Sequence, residues 1–260
     1  RINEAVLAMA DSRAEVSGSI SQLEAFAGND LRFSFKGADL ARFRALLDWP
    51  KAAAGAFDIS GTIKASGDAE LIDIQATTTR GTLKVAGPLG ASPDYYGTRL
   101  TFAASGPSLA RVGELAGAGI LPDVGFTGAG EFEWTETGAV IRQGQLQAGA
   151  DLLGLDGVIA RKPLGPGTDV SFSLAGPDSR KLAARLGMDG LPAGPFDLRG
   201  RLRREARVSR LDDVRGTLAG ADVRVSGRIG DQPLQGTTLD LAVEGPRLEA
   251  FAGLLPDYKL

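Results

Sequence analysis

Among its 260 residues the chain has no cysteine and no histidine. Without cysteine there is no disulfide, no thiolate zinc site and no cysteine nucleophile. Without histidine the usual general base near neutral pH is gone. No apolar run reaches the roughly 18 residues that a membrane-spanning helix needs. Net charge is −3, which argues against a nucleic-acid partner, because phosphate binding needs clustered Lys and Arg. The densest basic run, Arg199–Arg207, reads as a solvated strand face, with a polyanion or headgroup site as the alternative. The sequence has no GxSxG elbow, no Walker loop and no metal-ligand cluster. Acidic candidates for a hydrolase exist in Asp39, Glu131, Glu133 and Asp212. Glu131 and Glu133 lie two apart on one strand face, which is ordinary surface patterning. The expectation is a protein that is not an enzyme and carries no metal or cofactor.

What is present is glycine, 36 of them, with 13 prolines. The glycines fall in phase. Gly37, Gly106, Gly176 and Gly245 are spaced 69, 70 and 69. Gly61, Gly130 and Gly200 are spaced 69 and 70, and Gly18, Gly87, Gly157 and Gly227 are spaced 69, 70 and 70. Three landmarks holding one period indicate a repeat architecture. The boundaries read as 1–28, the end of a preceding repeat; 29–97, 98–167 and 168–236, three full repeats; and 237–260, the start of a fourth. The loops between them are turn chemistry without a low-complexity linker, so the chain is expected to form a single continuous segment of a longer protein.

Within each repeat the hydrophobic pattern has period two. Leu31, Phe33 and Phe35 alternate with Arg32, Ser34 and Lys36, and Gly37 stops the strand. Asp39 then opens a short helix with Leu40, Phe43, Leu46 and Leu47 on one side. Three more alternating strands follow. Each repeat therefore predicts one strand, one short α-helix and three strands. The later helix faces are Leu109, Val112 and Leu115; Leu182 and Leu186; and Leu248, Phe251 and Leu255. The fold class is mainly β, an elongated, curved antiparallel sheet shaped as a groove. At about 4.8 Å per strand, a four-strand repeat advances roughly 19 Å.

One short helix cannot cover the apolar face of four strands. The sheet must either close into a filled barrel or bend into a trough, and tandem repeats favour the trough. Its lining would be Leu31, Phe33, Phe35, Ile59, Ile63, Leu83 and Val85 in the first repeat. The second supplies Leu100, Phe102, Phe126, Phe132, Trp134, Leu153 and Leu155. The third supplies Val170, Phe172, Leu174, Phe196, Leu198, Leu202, Val223 and Val225, and the fourth begins with Leu239, Leu241 and Val243. A long apolar groove suits an acyl chain. Burial yields about 0.8 kcal/mol per methylene, on the order of 10 kcal/mol gross for a chain of about fifteen. A rival reading is a scaffold for outer-membrane proteins that accepts client strands at its sheet edges.

The phrases LRFSFKGADLARFRALL, GTRLTFAASGPSLARVGELAG and TTLDLAVEGPRLEAFAGLL resemble the AsmA family of Gram-negative envelope proteins, as do the strands GAFDISG and GPFDLRG. These are the bacterial relatives of bridge-like lipid-transfer proteins with a repeating β-groove. The resemblance covers nearly the whole chain, although the second repeat has VGFTGAG in place of GPFDLRG. It implies a periplasmic β-groove tethered to the inner membrane through an N-terminal helix absent from this chain. It also implies that phospholipid is carried toward the outer membrane, supporting outer-membrane biogenesis. The expected partners are phospholipid or another acyl lipid, membranes through regions outside this chain, and other envelope proteins.

Overall fold

The structure is a computed structural model. It describes residues 2–9, 11–20, 29–44, 54–66, 69–116, 121–162, 165–185, 191–230, 236–246 and 251. The fold is mainly β, an open antiparallel sheet of 15 strands whose order follows the chain. The chain divides into two compact units. The first is Arg1–Gly117 with Asp123–Glu136, and the second is Ala118–Pro122 with Thr137–Leu260.

The first unit holds β1 (Ile2–Met9), β2 (Ser12–Ser19), β3 (Asp30–Gly37), β4 (Phe57–Ser66), β5 (Ala69–Thr78), β6 (Gly81–Leu89), β7 (Arg99–Gly106) and β8 (Phe126–Trp134). A 3-10 helix, Leu40–Phe43, links β3 to β4, and α1 (Leu109–Ala116) links β7 to β8. The second unit holds β9 (Gly138–Ala148), β10 (Asp151–Ala160), β11 (Asp169–Gly176), β12 (Phe196–Arg204), β13 (Val208–Leu218), β14 (Ala221–Gly230) and β15 (Thr238–Glu244). Its helix α2 (Ser179–Arg185) links β11 to β12.

The strand, helix and three-strand plan is therefore realised in each full repeat. The first helix differs from expectation. Its described part is a single 3-10 turn, and Leu46 and Leu47, which would extend it, lie outside the described residues, as do Leu186, Leu248, Leu255 and the side chain of Leu115.

Each glycine series has its own physical cause. Gly37, Gly106 and Gly176 lie opposite Phe57, Phe126 and Phe196 on the next strand. A Cβ at these glycines would stand 2.7, 2.9 and 2.6 Å from the rings. Gly61, Gly130 and Gly200 pair with Phe33, Phe102 and Phe172, and a Cβ at Gly61 would meet the Phe33 ring at 2.9 Å. In the third series Gly87 adopts φ +144°, which L side chains rarely reach, and a Cβ there would collide with the Arg99 carbonyl oxygen. Gly18, Gly157 and Gly227 repeat that geometry.

The structure also explains why the period varies. Gly61 to Gly87 is 26 residues, whereas Gly130 to Gly157 and Gly200 to Gly227 are 27. The extra residue is a bulge in β9 and in β13, at Gln143 (φ +50°) and Asp213 (φ +46°). The register of β5 with its neighbours is unbroken.

The helices enter by one repeated device. Leu40, Leu109 and Ser179 each donate a backbone N–H to a carbonyl fifteen residues on, at Gly55, Val124 and Gly194, over 3.0, 2.9 and 2.8 Å. Asp39 caps the first helix, accepting from the N–H groups of Ala41 and Gly55 at 3.0 Å each. In the first unit the 3-10 helix and α1 share a rim with the β5–β6 turn. In the second, α2 shares a rim with the β9–β10 and β13–β14 turns. This follows from antiparallel order, since connections after odd-numbered strands fall on one side.

Candidate functional site

Strand register decides which side chains share a face. In the first unit Leu31, Phe33 and Phe35 pair with Ile63, Gly61 and Ile59, which pair in turn with Ile72, Ile74 and Ala76. Val85 and Leu83 continue the face, followed by Phe102 and Ala104. Leu100 pairs with Phe132, and Phe126 and Trp134 have the same parity on β8. The Phe132 and Trp134 rings stack at 6.1 Å. All the predicted lining residues of this unit are thus brought to one face.

In the second unit Leu153 and Leu155 pair with Leu174 and Phe172, and Val170, Phe172 and Leu174 pair with Leu202, Gly200 and Leu198. Phe196 stands opposite Gly176. Val223 and Val225 pair with Val243 and Leu241, and Leu239 pairs with Gly227. These residues also share one face.

The helix rim of each face is packed. Leu40, Phe43 and Phe57 form one cluster, with Phe35 and Ile59 against it. The Phe35 ring lies 4.7 Å from Phe43 and 4.5 Å from Phe57. In the second unit Phe196, Leu218, Ala221, Val223 and Phe251 cluster, with Leu174, Leu182 and Leu198 against them. Phe126 and Phe196, at 9% and 3% exposure, are core residues with little surface to offer a guest. Away from the helices the face opens. Phe33, Ile63, Val85, Leu100, Phe102, Leu155, Phe172 and Leu202 are only half-buried, and Leu239 and Leu241 are exposed by 44% and 43%. Leu83 is exposed by 43% although it shares a row with Phe35 and Ile59, near the helix rim. Ile72, Val170 and Val214 are buried exceptions.

The predicted lining omits several residues that the register puts on this face. Val16, Ile72 and Ile74 belong to it in the first unit. Ile141, Leu146, Leu211 and Val214 belong to it in the second. Ile72 and Ile74 were legible from alternation alone. Ile141, Leu146 and Leu211 were hidden because the bulges at Gln143 and Asp213 place consecutive inward residues three apart.

The opposite faces are polar, and the described concavities open there. One of about 610 Å³ lies over β1–β5 among Glu15, Arg32, Ser34, Ser60, Thr62 and Asp73. Another of about 400 Å³ lies over β9–β11. The acidic candidates all have structural places. Hydrogen bonds from the Gly55 and Ala41 N–H groups hold the Asp39 carboxyl below its ordinary range. The Arg203 guanidinium, 2.6 Å away, does the same to Asp212. Glu133 pairs with Arg99 at 3.1 Å, and Glu131 faces Thr101 across the strand. Known proteins offer no guide to this arrangement: no family model, no curated protein and no solved structure matches the chain.

Proposed function

We propose that the protein is a conduit for acyl lipid, the tails resting on the apolar face and the headgroup in water. The observation that carries this reading is the imbalance within each unit. Helix and strand packing buries the row at the helix rim, and most apolar positions in the rows beyond it stay half-exposed although they carry Phe, Leu, Ile and Val. Each methylene laid on such a surface contributes up to about 0.8 kcal/mol, less the cost of ordering the chain. The open, unclosed sheet is the topology that a trough requires. The resemblance to the AsmA family supplies the setting, a periplasmic protein held at the inner membrane that moves phospholipid toward the outer membrane.

A second reading, a scaffold for outer-membrane proteins, draws on the two terminal strands β1 and β15, whose outer edges pair with no other described strand. The experiment that separates the two is purification from cells under mild conditions, followed by organic extraction and mass spectrometry. Phospholipid recovered in near-stoichiometric amount supports the conduit. A lipid-free chain that retains unfolded β-barrel polypeptides supports the scaffold.

A further inference from the structure

The polar face of the second unit carries a feature that the lipid reading does not use. On β12, β13 and β14, Arg199 stands directly opposite Arg215, which stands opposite Arg224. Farther along the same strands Arg203 stands opposite Arg210, and Arg210 opposite Arg228. Like charges placed directly across a sheet oppose strand pairing. The cations of β12–β14 are all arginine, with no lysine.

Part of this charge is met locally. Asp169 binds Arg201 through two bonds of 2.6 and 2.7 Å, Asp212 binds Arg203 at 2.6 Å, and Asp213 lies 3.4 Å from Arg215. Among the described residues, Arg199, Arg210, Arg224 and Arg228 have no carboxylate within ion-pair distance. The equivalent face of the first unit is different. There Lys36 pairs with Asp58, Arg99 pairs with Glu133, and much of the remainder is Ser and Thr.

We infer that the two arginine rows are a docking surface for the phosphate layer of an anionic phospholipid bilayer. Guanidinium groups bind phosphate oxygens in pairs, and arginine suits this role better than lysine. The rows span two inter-strand spacings, about 10 Å, and lie about 13 Å apart along the strands. A single phosphate cannot bridge that array, whereas a headgroup layer presents many phosphates to it at once. The concavities described on polar faces lie over β1–β5 and β9–β11. Asp197, Asp222 and Glu244 border the patch on its helix side, which limits the length of any linear polyanion that could run across it. The surface is on the other face from the apolar one and stands or falls independently of the conduit reading.

The test is co-sedimentation of the whole chain with vesicles of phosphatidylcholine alone, or with about 30% phosphatidylglycerol, at low and at physiological salt. The expected result is binding only to the anionic vesicles, weakened by salt. The triple variant R199Q/R215Q/R224Q should lose at least about tenfold in partitioning. A charge-matched control, R32Q/R80Q/R111Q, should lose less than about twofold. All six positions are exposed, so the circular dichroism spectra of both variants should match the parent. Equal losses in the two variants would overturn the proposal. So would equal binding to phosphatidylcholine vesicles, which would point to the apolar face. Release from anionic vesicles by millimolar inorganic phosphate would overturn it too, by making the rows a soluble-anion site.

Discussion

Two sets of phenylalanines, one of each per repeat, differ only in their distance from the helices. Phe57, Phe126 and Phe196 begin the strand that follows each helix, and Phe33, Phe102 and Phe172 sit in the middle of the strand before it. Both sets face the same side, and each ring stands opposite a glycine on the neighbouring strand. The first set is 4%, 9% and 3% exposed, whereas the second is half-buried throughout. Residue type and cross-strand partner are the same, so the difference isolates what the helix contributes. It seals one row at the rim and leaves the next apolar rows facing out. An ordinary β-domain would place a second sheet or a longer helix over such rows.

Substitutions can break this comparison. The largest effect is expected for Phe196→Ala, which empties the centre of the packed cluster in the second unit. It should cost about 3 kcal/mol, read as a shift in urea midpoint at unchanged slope. Phe172→Asp comes next. It should cost about 1–2 kcal/mol in folding, because the charge stays partly wet, yet it should remove most co-purifying lipid, because a carboxylate in an acyl path has no partner. Phe172→Ala should cost about 1 kcal/mol, since its ring is only half-buried. Equal costs for Phe196→Ala and Phe172→Ala would mean that the middle row is as well covered as the rim.

The smallest expected effect concerns the helix cover itself. Asp39 has a lowered folded-state pKa, set by hydrogen bonds from Gly55 and Ala41. Its capping contribution is therefore complete above its ordinary value of 3.8 and disappears as pH falls through the lowered one. The gap in thermal midpoint between the parent and Asp39→Ala should be constant above that value and shrink below it. A gap that widens on acidification would contradict the sign.

Much of the fold was legible in the glycines. Their phase marked the repeat because each series answers a steric demand: a ring under a helix, a ring in mid-strand, and a left-handed residue pressed against the next strand. Alternation then assigned the apolar face correctly wherever strands are regular, as in β3 and β4. It failed at β9 and β13, where one inserted residue shifts the parity and conceals Ile141, Leu146 and Leu211. The arginine rows were half visible. The run Arg199–Arg207 stood out, but only the registers of β12, β13 and β14 place Arg215 and Arg224 beside it, from residues distant in the chain. Depth was not legible at all. Phe126 and Phe102 look alike in sequence, and only the position of the helix separates core from open surface.

Photo-crosslinking tests the central claim most directly, with a benzophenone side chain placed singly at Phe102, Phe172, Phe126, Lys84 and Arg32 in the protein as it is made in cells. The account predicts lipid adducts from positions 102 and 172, few from the sealed position 126, and none from 84 and 32 on the polar face. Equal labelling from the two faces, or none from 102 and 172, would contradict it.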